Sequence, residues 1–116
     1  AENTIVIVPG ANGAVSAADI PRLEAALDGA SVLLLQLETP LAAVTAAARA
    51  ARARGGPVIL DPAPAQPLPD ELYALADIMT PNESEAAALT GITVADDAAV
   101  AAAARELLAR RWPGNY

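Results

Sequence analysis

Polar side chains that could bind a charged ligand follow the apolar runs of this sequence, and the densest group is MTPNESEAAAL at residues 79–89. Asn82 and Glu85 have the N-x-x-E spacing of a capping box, in which each side chain accepts the other residue's backbone N–H. The start of a helix also suits a phosphate, because its N–H groups and dipole favour anions. A Mg²⁺ ion, which binds oxygen ligands and keeps several waters, could join the carboxylate to that phosphate. Two interpretations therefore stay open: capping alone, or capping together with a phosphate–magnesium site.

Three further polar residues follow apolar runs in the same way, namely Asn12, Glu38 and Asp61. Each has a structural alternative, since Asn12 suits a turn, Glu38 could be solvated at a strand end, and Asp61 could anchor the turn that follows it. In parallel α/β sheets, however, ligands bind beyond the carboxyl ends of the strands. The sequence therefore predicts that Glu38 and Asp61 lie with the Asn82–Glu85 pair along one rim of a sheet, with Asn12 as a further candidate.

Composition excludes several kinds of chemistry. The chain has no histidine and no cysteine, which removes disulfides, thiol nucleophiles and histidine-based zinc or triad sites. Its net charge of −7, from 14 acids against 7 bases, argues against a nucleic-acid partner. No apolar run reaches the roughly 18 residues of a membrane span, and the first residues lack the basic region of a signal peptide. We therefore expect a soluble, cytoplasmic protein without a membrane partner.

Strand and helix patterns alternate along the chain. The runs predicted as strands are Thr4–Val8, Ser31–Leu37, Pro57–Asp61 and residues 77–80. Helices are predicted to start near residues 16–19 and to cover residues 40–54, 69–76, 82–91 and 95–111, the last with Val100, Ala104, Leu107 and Leu108 facing inward. This alternation predicts an α/β fold with a mainly parallel sheet of about four strands and helices on both faces.

The predicted sheet is incomplete. The last helix should lead to another strand, but the sequence continues as RWPGNY, where Pro113 and Gly114 oppose a strand. No repeat or flexible linker divides the chain. We therefore expect residues 1–116 to be one partial α/β domain, the middle segment of a longer one.

Several motifs in one order resemble the ribokinase/PfkB family of carbohydrate kinases. They are GANG (residues 10–13), QLE (36–38), DPAPA (61–65), TPNESEA (80–86) and LTGI (89–92). The resemblance runs from about Asn3 to about Arg110 and covers the central part of the family's chain. It implies a Rossmann-like three-layer α/β/α fold and transfer of the γ-phosphoryl of ATP, with Mg²⁺, to the primary 5-hydroxyl of a sugar, with D-ribose the first candidate.

The resemblance also implies roles for individual residues. Asn82 and Glu85 match the family pair that lies beside the nucleotide phosphates and helps to place magnesium, largely through waters. Glu38 matches the glutamate that hydrogen-bonds sugar hydroxyls. Asp61 departs from the family, whose ribose-specific members often carry Asn there, so a phosphate-side role for it stays open. Asn12 lies near the sugar-facing end of the family's lid strands, without an assigned contact.

Two motif regions of the family, one of which carries its catalytic base, have no counterpart in this sequence. The amino-terminal sugar motif with most of the lid, and the carboxyl-terminal Gly-Ala-Gly-Asp motif, are both missing. We therefore expect no catalytic residue in this segment and no activity of the segment alone. Two alternatives stay open: a truncated, non-catalytic homologue that binds a partner, and a kinase for another sugar or a nucleoside. A homodimer is compatible with the resemblance, since the family's lid strands often pair between subunits.

Overall fold

The computed structural model describes residues 3–111 and consists of a parallel sheet with helices packed against it. Two short 3-10 helices, Gly10–Ala14 and Ala17–Asp19, come first. The strands are β1 (Leu33–Leu35), β2 (Val58–Leu60) and β3 (Ile78–Met79). The α-helices are α1 (Ile20–Leu27), α2 (Leu41–Ala53), α3 (Asp70–Leu75), α4 (Glu83–Thr90) and α5 (Asp97–Arg111). No helix among these is long and apolar enough to cross a bilayer.

The three strands lie in the order β1–β2–β3 and all run parallel. Their register pairs Leu35 with Leu60 and Leu60 with Met79, so the strands end level with one another. Helix α2 connects β1 to β2, and α3 connects β2 to β3, as parallel neighbours require. The predicted α/β fold with a parallel sheet is confirmed.

One face of the sheet is covered by α2 and α3. Small or branched side chains of α2, among them Val44 at 2% exposure and Ala48 at 0%, pack on Val58 and Leu60, which are both fully buried. The alanines let the helix approach the strands closely, so a dense core forms almost without aromatic residues. This packing holds the three strand ends in a fixed relation.

The opposite face of the sheet carries Leu34, Ile59 and Ile78, which the parallel register places side by side. Leu34 is 69% exposed and Ile78 is 52% exposed. Within residues 3–111 no helix covers these side chains. The described part of the chain therefore contains one of the two predicted helix layers.

The predicted strand at Thr4–Val8 is absent, so the sheet has three strands rather than about four. Ile5 is 74% exposed and Val6 is 89% exposed. A β-branched run becomes a strand only where another strand satisfies its backbone N–H and C=O groups. Among residues 3–111 no strand lies beside this segment.

The predicted inward face of α5 is only partly buried. Val100 is 52% exposed and Leu108 is 46% exposed, whereas Ala103 is buried at 2%. Helix α5 packs on α3 and α4 through its small side chains, and the larger ones line an open apolar groove beside Met79 of β3. The pattern therefore identified the face of α5 that is turned toward β3, but most of that face borders the open groove instead of being buried. Residues 112–116, where Pro113 and Gly114 were predicted to prevent a strand, lie outside the described residues.

Candidate functional site

The level ends of the three strands form an edge that we call the carboxyl rim, made of residues 36–39, 61–66 and 80–85. The first residue after β2 and the first residue after β3 each continue the ladder by one hydrogen bond. The Asp61 N–H donates to the Leu35 carbonyl at 2.8 Å, and the Thr80 N–H donates to the Leu60 carbonyl at 3.1 Å. The polar residues that follow are therefore carried by three strands of one rigid sheet.

Asn82 and Glu85 form a complete capping box at the start of α4. The Oδ1 of Asn82 accepts the Glu85 N–H at 2.8 Å, and the Oε2 of Glu85 accepts the Asn82 N–H at 2.9 Å. At the other end of the helix Gly91 has a left-handed φ of 75°, which suits glycine. The structure thus confirms the prediction that Asn82 and Glu85 cap helix α4.

The same helix start opens on the carboxyl rim, because only Thr80 and Pro81 separate β3 from Asn82. Glu85 is 8% exposed, and one of its carboxylate oxygens is taken by the capping bond. Among residues 3–111 no group of three or more acidic side chains could hold a metal by itself. These groups fit a Mg²⁺ that is held mainly by phosphates and water, with Glu85 behind a water, and they do not fit a fully protein-ligated ion.

Glu38 lies beyond β1 with its side chain exposed and its backbone held. Its N–H donates to the Oε1 of Gln36. The preceding residue, Leu37, is 3% exposed; its N–H donates to the Ala63 carbonyl at 2.8 Å. Its carbonyl accepts the Nε2 of Gln66 at 3.2 Å. The segment after β2 therefore braces the residues that carry Glu38.

Asp61 occupies the middle of the rim, directly after the central strand β2. Its backbone N–H donates to the Leu35 carbonyl at 2.8 Å, and its carbonyl accepts the Ala63 N–H at 2.9 Å. Its carboxylate is exposed and makes no hydrogen bond or ion pair with any residue in the described range 3–111. The side chain is thus not the turn anchor that the sequence allowed, and it is open to a ligand.

The rim does not bring all candidates together. Glu38 follows β1 and the Asn82–Glu85 pair follows β3, so they stand on the two outer strands with Asp61 between them. Neighbouring strands lie about 4.8 Å apart, which separates β1 from β3 by about 10 Å. In the described part of the chain no hydrogen bond joins Glu38 to the capping box. A shared site would need a ligand long enough to reach across β2.

Asn12 lies apart from the rim contacts. It is exposed within the first 3-10 helix, where its N–H donates to the Pro9 carbonyl at 3.1 Å and its carbonyl accepts the Val15 N–H at 3.3 Å. These bonds fit the turn interpretation of GANG. No hydrogen bond within residues 3–111 connects Asn12 to Glu38 or Asp61.

Sequence reasoning missed the two glutamines, Gln36 and Gln66, that bond the backbone around Glu38. They are the only glutamines of the chain; Gln36 lies within the QLE motif, and Gln66 directly follows the DPAPA motif. Their side chains contact backbone rather than charge, so neither pattern nor composition indicated them. The scarcity of glutamine was the one available signal.

An α/β sheet with polar residues at the carboxyl ends of its strands is the arrangement of many nucleotide- and sugar-binding enzymes. The family model described as pfkB family carbohydrate kinase matches residues 1–112. The chain therefore belongs to the pfkB family of carbohydrate kinases, as its motifs suggested.

Individual proteins and solved structures also match this chain. A ribokinase of Haemophilus influenzae is 50% identical over 103 residues, which are 89% of this chain and 34% of that protein. The crystal structure of Sa239 superposes with a TM-score of 0.89 at 38% identity, over 94% of this chain and 36% of the other. An Arabidopsis thaliana ribokinase complexed with ribose and ATP gives a TM-score of 0.80 at 32% identity, with the same coverage. This chain thus spans about a third of the length of these relatives.

Proposed function

We propose that this chain is a segment of an ATP-dependent sugar kinase that phosphorylates D-ribose at its primary 5-hydroxyl. The observation that carries the proposal is the capping box of Asn82 and Glu85, which starts α4 at the same rim that carries Glu38. The ribokinases that resemble the chain support ribose as the sugar, and the related structure with ribose and ATP supports both substrates. We also propose a cytoplasmic location for the enzyme.

The phosphate end of the site lies at α4. Its N–H groups and dipole favour an anion, whereas the Glu85 carboxylate repels one. Glu85 would help to hold a Mg²⁺ ion through water, and that ion would supply positive charge to offset this repulsion and the charge of the phosphates. Within this chain, Asn82 holds Glu85 through the capping bonds and so keeps the carboxylate facing the rim.

The sugar end of the site lies at β1. The exposed carboxylate of Glu38 can accept hydrogen bonds from sugar hydroxyls, and such bonds to a charged group are strong and directional. A sugar held there and a triphosphate held at α4 would meet above β2, near Asp61. Catalysis by this segment would then consist of holding two substrates in line.

No residue of this segment is proposed as the catalytic base. The chain spans about a third of the ribokinases it matches, and phosphoryl transfer needs a group that takes the sugar proton. We therefore expect residues 1–116 alone to produce no ADP in a ribose-dependent way. Ribose-dependent ADP production by the purified chain, abolished by Glu38→Ala, would contradict this expectation.

The test of the phosphate–magnesium site is Glu85→Gln in the complete kinase, by which we mean a chain of full family length that carries residues 1–116. Glutamine retains an oxygen for the capping bond to Asn82 but loses the charge that attracts Mg²⁺. We expect the Mg²⁺ concentration needed for half-maximal turnover to rise about tenfold, the scale for loss of an outer-shell metal partner. The melting temperature should stay within about a degree, since the cap contributes only about 1 kcal/mol and is retained.

The matched control is Glu83→Gln, because Glu83 lies in the same first turn but takes no part in the capping box. If Glu85→Gln leaves the magnesium dependence and the rate unchanged, Asn82 and Glu85 only cap the helix. The site would then have to be sought elsewhere on the rim.

A second candidate function is a non-catalytic module that binds a protein partner. The exposed sheet face of Leu34, Ile59 and Ile78 favours it, since uncovered apolar surface and strand edges promote association. The two functions differ in a direct assay of the complete kinase with ribose and ATP. Turnover supports the kinase, and its absence in a folded, ATP-binding chain supports the module. Turnover with another sugar or a nucleoside and not with ribose would change only the substrate.

A further inference from the structure

The peptide unit between Leu37 and Glu38 is bonded at both of its polar ends by glutamine side chains. Its carbonyl, which belongs to Leu37, accepts the Nε2 of Gln66 at 3.2 Å. Its N–H, which belongs to Glu38, donates to the Oε1 of Gln36. Since a peptide unit is planar, two bonds on opposite sides of it oppose its rotation. The direction of the Glu38 Cα–Cβ bond depends on that rotation.

The two glutamines differ in what they connect. Gln36 lies two residues before Glu38, so its bond is local. Gln66 lies 29 residues after Leu37 and belongs to the proline-rich segment that follows β2. That segment is anchored by the bond from the Leu37 N–H to Ala63 and by Pro62, whose side chain is fully buried. Gln66 therefore links the peptide that carries Glu38 to the segment that follows the central strand β2.

Glu38 itself has no other restraint in the described part of the chain. Its side chain is exposed, it stands at a bend beyond β1, and its carboxylate makes no hydrogen bond or ion pair with residues 3–111. An exposed carboxylate on a free bend would sample several directions, and a sugar would then have to select one of them. The glutamine bonds lessen that cost by holding the backbone before the sugar arrives.

We propose that Gln66 is a positioning residue for the sugar site: it holds the Leu37–Glu38 peptide so that the Glu38 carboxylate points above the carboxyl rim. The proposal rests on the sugar-binding role of Glu38 proposed above. Gln66 does not contact the sugar or the phosphates in this arrangement. Its effect on ribose passes through Glu38, and it should leave the nucleotide side at α4 unaffected.

The test is Gln66→Met in the complete kinase, because methionine has a similar length and volume but no donor for the Leu37 carbonyl. We expect the KM for ribose to rise about three- to tenfold, the effect of one lost hydrogen bond. The KM for ATP should stay within about twofold, since ATP binds beyond the other outer strand. Gln66→Lys, which restores a donor of sufficient reach, should bring the KM for ribose most of the way back.

Two further variants separate a positioning role from a structural one. If Gln66 acts only through Glu38, the double variant of Gln66→Met and Glu38→Ala should have the same KM for ribose as Glu38→Ala alone. A structural role predicts instead that the two effects multiply and that the KM for both substrates rises with a fall in melting temperature. That result would overturn the positioning proposal.

The remaining outcomes are also informative. If Glu38→Gln raises the KM for ribose but Gln66→Met does not, the sugar site stands and Gln66 does not position it. If Glu38→Gln itself leaves the KM for ribose unchanged, the proposed sugar role of Glu38 is wrong, and the role of Gln66 falls with it.

Discussion

The two ends of the sheet use acidic side chains in opposite ways. At the amino end Asp77, just before β3, accepts the Val58 N–H at 2.8 Å. Its other oxygen accepts Arg52 at 2.7 Å and Arg111 at 2.9 Å. At the carboxyl end the carboxylates of Glu38 and Asp61 make no hydrogen bond or ion pair with residues 3–111.

The difference shows in the charge state of Asp77. Burial by itself would raise the pKa of Asp77, but the Val58 amide and the guanidinium groups of Arg111 and Arg52 together lower it below its ordinary value. The ionised form is therefore favoured by folding, and the carboxylate joins α2, β2 and α5 at one point. We infer that Asp77 at the amino end stabilises the fold, whereas Glu38 and Asp61 at the carboxyl end are available to ligands.

The largest effect that would test this contrast is expected for Asp77→Ala in the complete kinase. The substitution leaves the Val58 N–H and two arginines without their shared acceptor, which should lower the free energy of unfolding by about 2–4 kcal/mol. The KM values for ribose and ATP should stay within about twofold, because Asp77 lies at the end of the sheet away from the rim. Chemical denaturation and steady-state kinetics measure the two quantities. A large rise in either KM with little loss of stability would reverse the contrast.

The pH dependence of that stability is the next effect in size. Because the pKa of Asp77 is lower in the folded chain, its contribution is complete above the unfolded pKa of about 4 and is lost as the pH falls through the lower folded value. The difference in stability between wild type and Asp77→Asn should therefore be constant from about pH 5 to 7 and shrink below about pH 4. Denaturation at a series of pH values measures it. A difference that grows on acidification would show that the charge of Asp77 destabilises the fold.

A smaller effect is expected at the helix start of the carboxyl rim. Asn82→Ala removes the side chain that accepts the Glu85 N–H and should cost about 1 kcal/mol of stability. Asn82→Asp, which keeps an acceptor oxygen, should restore most of that loss and serves as the matched control. Thermal melting of the two variants gives the comparison. Equal destabilisation by both would indicate that the amide group of Asn82, rather than its capping oxygen, matters for folding.

The smallest effect on stability is expected for Asp61→Ala. The exposed carboxylate has no partner within residues 3–111, so the free energy of unfolding should change by no more than about 0.5 kcal/mol. A fall in turnover at unchanged stability would assign Asp61 to the site, and unchanged turnover would limit the site to Glu38 and α4. Destabilisation on the scale of Asp77→Ala would remove the distinction between the two ends of the sheet.

Local sequence patterns were sufficient to predict much of the secondary structure. Continuous apolar runs placed β1 and β2, because short apolar runs bounded by turn residues are typical of strands in a parallel sheet. The N-x-x-E spacing determined the start of α4, since both capping bonds join residues only three apart. The polar residues after the strands were found because the end of each apolar run marks where a strand ends.

Which of these local patterns formed strand pairs, helix packing or hydrogen bonds depended on the tertiary structure. Thr4–Val8 has strand-forming residues but no neighbouring strand among residues 3–111, and backbone pairing is a property of two segments. Helix α5 has an apolar stripe, yet within it Ala103 is buried while Val100 and Leu108 stay exposed, because burial depends on what packs against each position. The bond from Gln66 to Leu37 spans 29 residues and exists only because β1 and β2 lie side by side. A hydrogen bond between residues so far apart in sequence depends on the tertiary arrangement of the strands, which residue types and local spacing do not indicate.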